Sequence, residues 1–152
     1  MFHMMDLDEK DIKILEILKR HSDYTTRQIA KKTLLPITTI HNRIKKLKQQ
    51  EIIKKFTIQI DYSKIGKSLP VIILLSADYK LLRELKKDQH QLIKEIKMLP
   101  EVEETYIVTG TTDIVVKVRV KDVTEYDEFL LKKLQKIPCV DKTQSLVVIN
   151  EN

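Results

Sequence analysis

Tryptophan is absent from this chain, and its 152 residues include only eight Phe or Tyr and two glycines, Gly66 and Gly110. With so few rings, core volume has to come from Ile, Leu and Val. Average usage would give roughly ten glycines, so each of the two marks a place where the backbone has a special requirement. Cysteine occurs once, as Cys139, which rules out an intramolecular disulfide and fits a reducing compartment such as the cytoplasm. Long apolar runs are also missing. The longest, "VIILL" from Val71 to Leu75, is far short of a membrane span. The opening "MFHMMDLDE" lacks the basic and apolar regions of a secretory signal.

What is present is charge, and it is unevenly divided. Residues 1–68 hold 15 Lys and Arg against 8 Asp and Glu, a net +7, whereas residues 69–152 hold 13 against 14, a net −1. A basic module joined to a neutral one implies a polyanionic partner for the first and a different task for the second.

Three helices are expected in the basic half. One runs from about Asp8 to Arg20, with Asp8 as cap and Glu9 and Asp11 in the first turn, where the helix dipole favours acids. A second opens at Thr25, with Gln28 completing a capping box, and ends near Thr33. Pro36 then interrupts, and proline suits only the first turn of a helix, so a third helix starts at Pro36 or Ile37. In that helix Ile37, Ile40, Ile44 and Leu47 form one apolar stripe. The opposite side carries Thr38, Thr39, Asn42, Lys45, Lys46 and Gln49, flanked by His41 and Arg43. Two short helices joined by a tight turn, the second polar and basic outside, describe a helix-turn-helix. Asn and Gln can read adenine, Thr can contact bases or phosphates, and Lys and Arg neutralise phosphates. These eight residues are the candidate contacts to double-stranded DNA. A solvated amphipathic surface helix is the plainer alternative.

The stretch "EIIKKFTIQIDY" alternates and reads as an extended strand leaving the helical module, and "SKIGKS" reads as a linker. The expected division is a helix-turn-helix (winged-helix-like) domain over 1–60, a linker over 61–68 and a second domain over 69–152.

In the second domain, "LPVIILLSADY" is a strand apolar on both faces, followed by a helix from Leu81 to Leu99 with Leu82, Leu85, Leu92, Ile96 and Leu99 on its buried stripe. Strands then span Val102 to Thr109 and Asp113 to Val120, a helix Val123 to Lys136, and a last strand Val140 to Ile149. "LPEVEET" and "IPCVDKT" share an aliphatic-Pro-x-Val-x-x-Thr pattern at equivalent points, each ending a helix and opening a strand. That echo implies β-α-β-β-α-β, the ferredoxin-like arrangement, and an α+β chain as a whole. Both helices would then cover one sheet face, and a second copy packing sheet to sheet would cover the other as a homodimer. A dimer also presents two recognition helices to half-sites about one helical turn apart.

With both halves in view, the chain resembles the Lrp/AsnC (feast/famine) family of transcriptional regulators. The resemblance is carried by "LDEKDIKIL", "RQIAKKTLL", "HNRIKKLKQQEII", "VTGTTD" and "IPCVDKT". It implies a DNA-binding domain, a ferredoxin-like effector-binding domain, dimers assembling to tetramers or octamers, and an amino acid bound between dimers near the Gly110–Asp113 turn. On that basis Gly110, Thr111, Thr112, Asp113, Thr143 and Ser145 are the candidate effector residues, with Asp113 accepting the ligand's ammonium; no cofactor is implied. From the residues alone, Gly110 supplies a positive φ in a turn that Asp113 caps. Three departures stand out. Leu34 and Glu51 occupy positions where the family usually has glycine, and Thr112 stands where an aromatic residue is common. A left-handed position costs a non-glycine residue about 1–2 kcal/mol, so the turn at Leu34 is expected to be modified.

Two other functional classes have less support. A small-molecule sensor acting through a protein partner, with vestigial DNA binding, needs only the neutral half. An enzyme has little support: His3, His21, His41 and His90 lack metal-ligand spacing, Cys139 has no evident base, and strand alternation divides Glu101, Glu103 and Glu104 between faces.

Overall fold

A computed structural model describes residues 7–151; residues 1–6, which include His3 and the region read for a secretory signal, lie outside the described residues. The chain forms two compact units that divide between Ile60 and Asp61.

The first unit is built from α1 (Glu9–Arg20), α2 (Thr26–Thr33) and α3 (Ile37–Gln49). Side chains the sequence singled out close both early helix starts. Asp8 accepts from the Asp11 amide while Asp11 accepts from that of Asp8, and Thr25 and Gln28 do the same for α2. Pro36 caps α3, a position where a missing N–H costs nothing. Ile14, Leu18, Ile29, Ala30, Ile40 and Leu47 meet in the core, with Leu15, Ile44 and Ile53 packed around them. Ile37, the first member of the expected stripe, is 45% exposed.

The turn between α2 and α3 differs from expectation. Leu34 is not avoided as a left-handed position: it sits there, at φ 58° and ψ 28°, as the cap of α2. Glu51, after α3, does the same at φ 56°. Residues 53–60, expected as a strand, are extended but belong to no ladder among the described residues, and Phe56, Ile58 and Ile60 are exposed. Alternation specifies an extended backbone; a strand also requires a partner for its amides and carbonyls.

The second unit begins at Asp61, so segment 61–68 is part of it rather than a free connector. It contains a 3-10 turn, Tyr62–Ile65, ended by Gly66 at φ 73°. Four strands follow: β1 (Leu69–Ala77), β2 (Val102–Ile107), β3 (Ile114–Val120) and β4 (Val140–Val147). They form one antiparallel sheet in the order β2-β3-β1-β4. Between β1 and β2 lie two helices, α4 (Tyr79–Glu84) and α5 (Gln89–Lys97), where the apolar period predicted one. The break is local: Lys86 takes a left-handed conformation at φ 54°, and Asp88 starts α5 with its own capping box to Gln91. Leu85, placed on the buried stripe by its period, is 45% exposed as a result. The last helix, α6 (Val123–Glu128), continues through a wider π-type turn (Phe129–Lys133) into a 3-10 turn (Leu134–Lys136).

Val71, Ile73 and Leu75 of β1 and Ile114, Val116 and Val118 of β3 are fully buried against Leu92, Ile96, Phe129 and Leu134 on the helices. The opposite sheet face carries Ile72, Leu74 and Val115, half-buried, but is not uniformly apolar. Arg119, 5% exposed, is held there by Glu103 and Glu151 and lies 4.1 Å from the Tyr62 ring centre, while Lys117 is paired with the same two acids.

Candidate nucleic-acid interface and effector turn

The core of the first unit fixes which side of α3 faces outward. Ile40 and Leu47 point into it, so the residues between them on the other side are exposed: Thr38, His41, Asn42, Lys45, Lys46 and Gln49, with Thr39 half-buried. Among the described residues, none of these side chains has a hydrogen bond or ion pair within the chain. From Thr38 to Gln49 the helix rises about 16 Å at 1.5 Å per residue, and a major groove about 12 Å wide admits a helix presented this way.

Arg43 behaves differently. Its Nη1 lies 2.7 Å from an oxygen of Asp8 and 2.7 Å from one of Asp11, both on the α1 side of the unit. The two carboxylates raise the Arg43 pKa, and Asp8 is lowered from its usual carboxylate range mainly by the Arg43 hydrogen bond. Arg43, expected among the DNA contacts as a residue flanking the outward side, has its guanidinium turned to α1, where it joins the recognition helix to the scaffold.

At the β2–β3 turn, Gly110 has φ +128°, a conformation nearly confined to glycine, and open space surrounds the place a side chain would take. Val108 donates to the Asp113 carbonyl at 2.9 Å and the Asp113 amide to Leu75 at 3.0 Å, closing the loop. Asp113 does more than cap it. One carboxylate oxygen accepts from the Ala77 amide at 2.8 Å and the other from the Tyr79 hydroxyl at 2.6 Å, and the side-chain amide of Gln89 donates to that same hydroxyl. The neighbouring carboxylate raises the Tyr79 pKa. Tyr79 and Gln89 did not stand out in the sequence: Tyr79 meets Asp113 across more than thirty residues, and Gln89 joins only through the Tyr79 hydroxyl.

Thr111 is exposed and Thr112 half-buried beside Asp113. Thr143 and Ser145 are not gathered with them. All lie toward the end of the sheet where β1 finishes, since Leu75 pairs with both Ile114 and Thr143. But β1 separates β3 from β4, which puts about 10 Å between the two groups. Ser145 is hydrogen-bonded to Tyr126 and Thr143 to Gln135, both on the helical segment that follows β3. Among the described residues no cluster of His, Cys, Asp and Glu is arranged to hold a metal, and no helix is long and apolar enough to cross a membrane.

Comparison with known proteins decides what this arrangement is. Residues 7–54 match the winged helix-turn-helix DNA-binding family, and residues 80–152 match the Lrp/AsnC ligand binding domain. The HTH-type transcriptional regulator FL11 of Pyrococcus horikoshii is 36% identical over 144 residues, covering 94% of this chain and 89% of its own. The chain belongs to the Lrp/AsnC family. It is a transcriptional regulator with a helix-turn-helix DNA-binding domain ahead of an effector-binding domain. An AsnC family regulator from Agrobacterium tumefaciens superposes with a TM-score of 0.84 at 26% identity, covering 95% of this chain and 92% of that one. A Neisseria meningitidis transcriptional regulator solved with L-Met shares the fold at TM-score 0.86 and 24% identity, over 96% of this chain and 92% of its own.

Proposed function

We propose that this Lrp/AsnC regulator reads DNA through Thr38, Thr39, His41, Asn42, Lys45, Lys46 and Gln49, with Asn42 and Gln49 contacting base edges and the lysines contacting phosphates. Arg43 acts from behind, as the strut that sets the angle of α3. The observation that supports this most strongly is that these polar groups, exposed save for the half-buried Thr39, have no partners among the described residues and stand on a helix whose other side is core. The protein acts as a homodimer, formed on the sheet face that carries Ile72, Leu74 and Val115, and binds two half-sites. An amino acid modulates it at the turn Gly110–Asp113, where backbone groups are accessible and Asp113 offers a carboxylate. Thr143 and Ser145, engaged with the helical segment, stay outside that site. Selection of bound DNA from a random pool, run with and without each of the twenty amino acids and beginning with methionine, tests both parts. Enrichment of one palindromic sequence, altered by one amino acid, is the expected result. No enrichment would favour a sensor working through a protein partner.

A further inference from the structure

Asp113 is the one carboxylate in the proposed effector turn, and each of its oxygens already accepts one hydrogen bond from within the chain. Oδ2 is committed to the Ala77 amide, a backbone group that cannot move without opening the β1–β3 end of the sheet. Oδ1 is held by the Tyr79 hydroxyl. That second contact is of another kind. Tyr79 is the first residue of α4, a short six-residue helix, its side chain is on the surface with 47% of the residue exposed, and it is steadied by Gln89 at the start of α5.

We propose that Tyr79 is the specificity residue of the effector turn: its phenol occupies the acceptor that a ligand's ammonium group takes, and an amino acid binds by replacing the Tyr79–Asp113 hydrogen bond. This rests on the reading of Gly110–Asp113 as an amino-acid site. A primary ammonium matches what the phenol leaves behind, because it donates up to three hydrogen bonds and carries the charge that one carboxylate oxygen attracts best. A neutral donor makes with this carboxylate only the kind of bond that the Tyr79 hydroxyl already makes and gains nothing by displacing it, and an acid without an ammonium group is repelled, so Tyr79 selects against neutral and purely acidic small molecules. Release of Tyr79 also frees Gln89, so ligand entry is transmitted to the starts of both α4 and α5.

Tyr79→Phe removes the hydroxyl and keeps the ring, and the residue's exposure makes the change tolerable to the fold, which circular dichroism verifies. Isothermal titration calorimetry of the full chain and of this variant, with each of the twenty amino acids in turn, is the test. Hydrogen bonds to charged groups contribute enough that the variant should bind the effector about tenfold more tightly. Tyr24→Phe, which alters a tyrosine packed on the core of the first unit, should leave affinity unchanged. Binding by the variant alone, with none by the native chain, would also support the proposal, as a plug too strong for the ligand to displace. Equal or weaker binding by Tyr79→Phe overturns it and leaves the effector reading intact. No binding by either protein removes the effector reading and this inference together.

Discussion

Arg43 of α3 and Asp11 of α1 form an ion pair at 2.7 Å, with the Asp11 side chain only 4% exposed, so the recognition helix is fastened to its scaffold through a buried carboxylate. Asp8, which caps α1, shares the same Nη1. The cap of the first helix, its first-turn acid and the middle of the third helix thus form one network.

Removing the guanidinium leaves Asp11 buried without its partner, so Arg43→Ala should destabilise the first unit by about 2 kcal/mol. Urea unfolding measures this, and a double-mutant cycle with Asp11→Asn should recover most of it as coupling. Well below the unfolding transition, the same variant should keep the native salt dependence of DNA binding. A slope reduced by about one would instead identify Arg43 as a phosphate contact.

Leu34 and Glu51 both hold left-handed backbone without being glycine. Leu34→Gly and Glu51→Gly should each stabilise the unit by about 0.5–1 kcal/mol, the conformational relief exceeding the added freedom of the unfolded chain. Thermal unfolding should show a higher midpoint for each and nearly additive effects for the pair.

At the β2–β3 turn the reasoning reverses. Gly110→Ala should cost about 1–3 kcal/mol through backbone strain alone, since nothing stands within 4 Å of the new methyl. Asp113→Asn should also destabilise, because the Ala77 amide loses a charged acceptor. Amide hydrogen exchange at Ala77 reports that loss locally and should speed up.

Glu151 is held down at about pKa 2, chiefly by its hydrogen bond to Arg119, against an ordinary value of 4.5. A depressed carboxylate stabilises the fold above its unfolded pKa and loses that contribution as pH falls through its folded one. Stability should therefore decline between about pH 4.5 and 2, and Glu151→Gln should flatten that limb of the profile. An unchanged acid limb in the variant would show that the carboxylate is not held in solution as it is here.

Much of this was legible in the sequence because the signals were local. Asp8, Thr25 and Pro36 mark helix starts by side chains a few residues away, and all three helices of the first unit begin there. The single helix read over Leu81–Leu99 shows how a correct signal can be outweighed. Asp88 and Gln91 spell a capping box in mid-run, but the apolar period continues across the break and conceals it, and a lysine in left-handed conformation leaves no mark in composition. Residues 53–60 have the alternation of a strand, and alternation does not name a partner. The partners of Arg43 and Asp113 were not legible, for one reason. Residue type and helical phase gave each its chemistry, whereas the groups that engage them, Asp8 and Asp11 in one case and Ala77 and Tyr79 in the other, lie more than thirty residues away.

The most direct test of the account is equilibrium binding of Asn42→Ala and Lys45→Ala to the selected DNA site and to a scrambled one, across a range of salt. Asn42→Ala should lose about 1–3 kcal/mol on the selected site and little on the scrambled one, while Lys45→Ala should weaken both alike and lower the salt slope by about one. If both variants bind both DNAs as the native chain does, at every salt concentration, the outward side of α3 is not the surface that meets the duplex.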